Sequence, residues 1–209
     1  MQKSPLTTTH LCTIANTLHN LHDHDDMLFL CMINTGFTGL LQLSEMTVSN
    51  TLHLRDSHKV VSRSSLSWVD NVYEFLLPAH KVDTTFKGNR AHIACIINAP
   101  NPQSFMKCFI MSCNCLFPLH PQLWLHSNGT VLMCSWFLHR LSAFCPPNIT
   151  GQSIRAGGAT ALAEASAPGE LIRGAGRWSS DVFERYIRKN VIVLHMLILG
   201  RSLHYLCGP

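Results

Sequence analysis

Charge is scarce in this sequence. Asp, Glu, Lys and Arg supply 13% of its 209 residues, against 46% hydrophobic residues, which excludes the highly charged chains that cannot bury a core. Long apolar runs are missing too: the strongest, residues 191–199, is interrupted by His195 and falls far short of the roughly 20 residues that a membrane helix needs. There are nine cysteines, but no closely spaced pair recurs at a longer interval. Cys113-Asn114-Cys115, with His120 nearby, therefore reads as ordinary thiols, and no metal is expected. Neither G-x-x-x-x-G-K-[ST] nor a complete G-x-G-x-x-G is present, so no nucleotide cofactor is expected, and Gly157-Gly158 is read as a place where helices approach closely. Internal repeats, low-complexity tracts, an evident linker and a basic import run are absent as well.

What remains describes one compact domain over residues 1–209, a length that can bury a substantial core. The formal net charge of +4 and the pI near 8.6 permit a polyanionic partner without requiring one. Thirteen histidines add positive charge wherever they lie near phosphates below about pH 6.5. The odd cysteine count, and an opening Met1-Gln2-Lys3-Ser4-Pro5 that leads straight into polar threonines, predict reduced thiols in an intracellular protein without a secretory leader.

Along the chain, Ser4-Pro5 marks a helix start, and Leu6, Leu11, Ile14, Leu18 and Leu21 follow at helical spacing up to the polar break at residues 22–25. A second, buried helix is predicted from Asp26, carrying Leu28, Phe29, Met32, Ile33, Phe37, Leu40 and Leu41, with Gly36 and Gly39 admitting a neighbour. Residues 59–61, 68–77 and 92–97 are rich in β-branched and aromatic side chains and predict a small antiparallel sheet. The link at residues 78–83 and the turn at 87–89 place Lys81 and Lys87 near its rim. Helical patterns return at residues 103–113, 135–144, 149–164, 169–175 and from 180 onward. The fold class is α+β, mostly helical with one small sheet.

Chemistry concentrates near the end. Gln152-Ser153-Ile154-Arg155-Ala156-Gly157-Gly158 is followed by Gly176-Arg177-Trp178-Ser179-Ser180-Asp181 and then by Arg185-Tyr186-Ile187-Arg188. A lone tyrosine late in an amphipathic helix is usually a half-buried aromatic. An arginine, a later tryptophan and a still later tyrosine in this order are far more specific. The order and spacing resemble the C-terminal signature of the tyrosine recombinases, the integrase and Cre-like family: His-x-x-Arg, then His or Trp, then Tyr. The phrases GGATALAEA, GRWSSD and YIRKN are most similar to those in recombinase domains of fungal mobile elements. The similarity extends upstream through Leu77-Pro78-Ala79-His80-Lys81-Val82-Asp83, Leu116-Phe117-Pro118-Leu119 and Gly39-Leu40-Leu41-Gln42-Leu43-Ser44-Glu45.

The resemblance implies a tyrosine-recombinase (integrase-like) catalytic core that breaks and rejoins duplex DNA through a 3′-phosphotyrosyl intermediate, without cofactor or metal. It implies Tyr186 as nucleophile, because a phenolic ester conserves the energy of the broken phosphodiester. Arg155 would hold the charge gathering on the non-bridging oxygens with its guanidinium fork. Lys81 matches the β-hairpin lysine that protonates the leaving oxygen, with Lys87 as runner-up. Trp178 would support a phosphate oxygen and the nucleophile's helix. Arg177, Arg185 and Arg188, with Lys87 and Arg90, are candidate DNA contacts.

Two positions depart from the pattern. Gln152 stands where the motif has His, and an amide cannot shuttle protons. Gln42 stands where the first arginine belongs, and removing one transition-state donor typically slows a reaction by about 10²–10³. The alternative reading is therefore a truncated, catalytically impaired or inactive DNA-binding remnant. The resemblance further implies that the N-terminal DNA-clamping domain is missing, that the apolar C-terminal helix docks on a neighbouring protomer, and that the protein works in the nucleus.

Overall fold

The computed structural model describes residues 3–18, 23–56, 60–78 and 89–178. It is mostly helical with one small antiparallel sheet, in the order α1 (Thr8–Thr17), α2 (His24–Thr38), β1 (Ser67–Val69), β2 (Val72–Leu77), β3 (Asn89–Ile93), α3 (Pro102–Leu116), α4 (Cys134–Phe144), α5 (Gly151–Glu164) and α6 (Gly169–Ala175). The last predicted helix, from residue 180, lies outside the described residues.

The first helix starts later than Ser4-Pro5 suggests. Thr7 caps α1, its hydroxyl accepting from the His10 N–H while the His10 ring accepts from the Thr7 N–H, a reciprocal cap with histidine in the usual place of Glu or Gln. Residues 4–6 run along α5 instead. Ser4 N–H donates to Asn148 O at 3.1 Å, and Leu6 N–H donates to Ser153 O at 2.9 Å.

Helix α2 is the buried axis. Asp23 caps it by accepting from Asp26 N–H at 2.9 Å, and Asp25 and Asp26 occupy its first turn, where carboxylates favour the helix dipole. Every residue from Leu28 to Thr38 is buried, as in a helix surrounded by protein. The predicted continuation to Leu41 does not occur. Leu40 adopts a left-handed φ of 51°, Leu40 N–H returns to Phe37 O, and Leu41 N–H returns to Gly36 O at 2.9 Å. This is a Schellman ending with leucine in the position that glycine usually fills. The left-handed backbone costs roughly 1–2 kcal/mol; the fully buried Leu40 side chain, packed with Ala159 and Ile172, offsets it.

The sheet is a meander ordered β1-β2-β3, with Val69 opposite Val72 and Leu77 opposite Asn89. Residues on β2 alternate, Tyr73, Phe75 and Leu77 facing inward. Tyr73 shares a 2.7 Å hydrogen bond with Thr35 of α2, which ties sheet to axis. Of the predicted strand segments, the described part of 59–61 lies outside the sheet and 92–97 is strand only through Ile93. Val61 is buried, but Ser62 makes only a single bridge to Gln122, so β-branched composition there reports burial rather than pairing. Residues 94–97 leave β3 and enter a turn closed by Ala99 N–H to Ile96 O, with Asn98 at φ 63°.

Helix α5 rests on α2 and the N-terminal strap backbone to backbone. A Cβ on Gly157 would lie 2.0 Å from Leu6 O, and one on Gly158 would lie 1.9 Å from Phe37 O. The close-packing role expected of these glycines is therefore borne out. Helix propensity alone favours alanine over glycine by about 1 kcal/mol, yet Gly158→Ala is expected to lose about 1–3 kcal/mol, because the clash is with a carbonyl that cannot rotate away. Gly174→Ala in α6, where a Cβ meets nothing within 4 Å, is expected to gain about 0.5–1 kcal/mol. Urea denaturation of the two variants checks both signs.

Candidate active site

The start of α5 assembles the site. Ser153 accepts the Thr150 N–H at 2.9 Å, so the chain enters the helix at a fixed angle. Gln152 and Arg155, three residues apart, then share one helix face. Arg155 is 6% exposed. Its guanidinium carbon lies 4.4 Å from the centroid of the Trp178 ring, and one of its terminal N–H groups donates to Gly176 O. An arginine keeps its charge when buried; stacking on an indole stabilises that charge by about 0.5–2 kcal/mol. The result is a permanent cation held against an aromatic plate.

Gln42, Ser44, Thr150, Gln152, Arg155 and Trp178 all line one cleft of about 450 Å³. Four of the six residues read from the sequence as catalytic positions are thus brought together. The other two, Lys81 and Tyr186, lie outside the described residues, as do Lys87, Arg185 and Arg188. Among the described lining residues Arg155 is the only cation. The cleft also holds Cys134, whose thiol burial pushes above its ordinary value, partly offset by a hydrogen bond with Thr47.

Arg177 faces inward, contrary to its expected place on a phosphate-tracking surface. Its guanidinium donates to Glu45 Oε2 at 3.1 Å, to Ala175 O at 3.0 Å and to Leu40 O at 3.4 Å. The two charged side chains are only 11% and 8% exposed. A buried carboxylate demands a countercharge, and Arg177 meets that demand from a backbone with φ 55°. The same Glu45 oxygen accepts the Gln42 N–H at 2.6 Å. One ion pair therefore couples the 42–45 turn to the loop that carries Gly176 and Trp178. Sequence reading passed over Glu45 in this role, because nothing local signals a partner so far along the chain.

Arg90 does not stand in for an arginine at position 42. It lies on β3, donates to Glu74 Oε1 at 2.6 Å, and is absent from the cleft lining among the described residues. Cys113 is buried and held up to about 11 by that burial, whereas Cys115 is exposed. Two positions along α3, they face different surroundings. Another residue missed by sequence reading is Lys3, whose ammonium donates to Gln152 Oε1 at 2.9 Å.

No family model and no curated protein matches the chain, but solved structures do. The XerH site-specific recombinase bound to palindromic difH substrate in a post-cleavage complex superposes with a TM-score of 0.61 at 13% identity, covering 97% of this chain and 53% of that one. The Tn1549 transposon integrase in complex with circular intermediate DNA gives 0.56 at 15% identity, covering 89% and 61%. A lambda integrase dimer bound to a COC′ core site gives 0.53 at 12% identity, covering 89% and 59%. The chain has the tyrosine-recombinase catalytic fold. It spans about half the length of the XerH chain.

Identity this low establishes the recombinase fold alone; the chemistry must come from the residues of the cleft. Within that fold the Glu45–Arg177 pair acts as a brace, and removing one partner is the decisive perturbation. Glu45→Leu or Arg177→Met is expected to destabilise the domain by about 3–5 kcal/mol, because the other charge is left buried. The double replacement Glu45→Leu with Arg177→Met is expected to recover much of that loss. A double-mutant cycle in urea checks the coupling.

Proposed function

We propose that this chain is the catalytic domain of a mobile-element recombinase or integrase of the fungal kind, acting on duplex DNA by strand breaking and rejoining. The observation that carries the reading is the Arg155 guanidinium, buried against Trp178 in the same cleft as Gln42 and Gln152. A cleft with one fixed fork and neutral donors around it suits a phosphodiester, whose non-bridging oxygens take parallel N–H···O bonds.

In the proposed reaction Tyr186 Oη gives its proton to bulk water, since the Gln152 amide cannot take it, and attacks phosphorus in line with the 5′-oxygen. The P–O5′ bond breaks, the departing oxygen takes a proton from Lys81, and a 3′-phosphotyrosine remains. Attack by a 5′-hydroxyl reverses each step and releases the tyrosine, so strands rejoin without an energy source. Arg155 stabilises the phosphorane, Gln152 donates to a non-bridging oxygen, and Trp178 keeps Arg155 in place. Arg185, Arg188 and Lys87 serve as backbone phosphate contacts, and Arg90 reaches DNA only if it leaves Glu74. The same reading makes the nucleus the expected compartment, because the target DNA of a fungal element lies there, and it includes pairing of protomers through the helix predicted from residue 180 onward.

A second reading, a remnant that binds DNA without cutting it, is favoured by one observation: Gln42 brings no charge to the cleft where the resemblance implies an arginine. Incubation with a randomised pool of nicked suicide duplexes separates the two. A slow covalent protein–DNA adduct is expected, lost in Tyr186→Phe and increased by about 10²-fold in Gln42→Arg. An adduct only in Gln42→Arg would assign the unmodified chain to the remnant reading. Absence of adduct in every variant, with binding indifferent to salt, would contradict both.

A further inference from the structure

The opening residues of the chain are anchored beside the cleft. Ser4 N–H and Leu6 N–H are bonded to Asn148 O and Ser153 O, and the Asn148 side chain donates to Ser4 Oγ at 2.8 Å. Leu6 is buried at 1% exposure, and its carbonyl sits against Gly157, where a side chain would collide with it. Lys3 immediately precedes these anchors. Its ammonium is therefore presented to the first turn of α5 by a fixed strap, and it donates to Gln152 Oε1 at 2.9 Å.

Two consequences follow from elementary chemistry. An amide accepts the hydrogen bond without neutralising the ammonium, so a full positive charge stays beside a residue that lines the cleft. Holding the amide oxygen also decides which end of Gln152 does what: its remaining polar end is the NH₂, a pure donor. The pair Lys3–Gln152 thus presents N–H donors backed by a cation, a combination that a neutral glutamine alone cannot supply. It brings a second positive charge close to a cleft whose described lining contributes Arg155 alone.

We propose that Lys3 is a DNA-phosphate-binding residue of this cleft, acting jointly with Gln152 to supply charge that Gln42 does not. The inference rests on the proposed DNA-binding function and names a further residue of the same site. Lys3 is a binding and positioning residue, since its reach to the reacting atoms passes through Gln152. The ammonium keeps two N–H donors beyond the one given to Gln152, enough to meet a phosphate oxygen. Exposure of both partners means that replacing either leaves the core intact.

The test is the salt dependence of binding to a randomised duplex pool, compared among the unmodified full chain, Lys3→Gln, Lys3→Arg, Gln152→Leu and Arg155→Ala. Neutralising one phosphate contact changes the slope of log affinity against log salt by about 0.9. Lys3→Gln is expected to reduce the slope by that amount and to weaken binding several-fold at low salt. Lys3→Arg should restore the slope, and in a further double variant Lys3→Gln should add less when Gln152 is already Leu. An unchanged slope in Lys3→Gln, alongside a reduced slope in Arg155→Ala, overturns the assignment of Lys3 and leaves the cleft's function standing. Binding by the unmodified chain that ignores salt, or that Arg155→Ala does not alter, overturns the functional reading and Lys3's role together.

Discussion

Two glycines decide where Arg155 sits. Because Gly157 and Gly158 carry no side chain, α5 lies directly against the Leu6 and Phe37 carbonyls, and its first turn is pinned by Ser153 and by the strap at residues 4–6. Arg155 stands two residues before Gly157, on the turn whose position these contacts set. A single methyl group inserted at Gly158 must move either α5 or the C-terminal end of α2, and both movements shift the cleft. The contact acts at a distance as well: Phe37 begins the ending of α2 that hands the chain to Leu40 and then to Gln42.

The other wall of the cleft depends on charge. Leu40 bends left-handed, the 42–45 turn follows, and Glu45 joins Arg177 across to the loop of Gly176 and Trp178. Buried ion pairs contribute little net stability, but they allow few alternative arrangements once formed. Here the pair keeps Trp178 beneath Arg155 and holds Gln42 at the cleft's edge. Shape comes from glycine packing on one side and from the ion pair on the other. Function, in the proposed reading, is what a phosphate finds between them.

Much of this was legible in the sequence. The helical stretches of α3, α4, α5 and α6 follow from periodicity and from breaks at Pro, Gly and Ser, and their observed ends differ by a few residues, as helix ends do. The order of Arg155 and Trp178 survives folding as a direct contact, and Gln42 and Gln152 meet them in one cleft. The failures have physical causes. Val61 is β-branched because it is buried, not because it pairs along a strand. The end of α2 was hidden because leucine, not glycine, takes the left-handed position. Arg177 looked like a surface cation in a run of basic residues, and only Glu45, far away in the chain, turns it inward. Lys3 was concealed by a helix-start pattern that Thr7 completes instead.

In the proposed reading, duplex DNA lies against the start of α5 and the 42–44 turn. Amide hydrogen exchange with and without duplex tests it most directly, because the first N–H groups of a helix lack intrahelical partners and exchange readily until something covers them. Saturating duplex is expected to slow exchange at Gly151, Gln152, Leu43 and Ser44, and to do so less in Arg155→Ala. Unchanged exchange at those amides, with protection appearing instead on the exposed side of α3 around Met111 and Cys115, would contradict it.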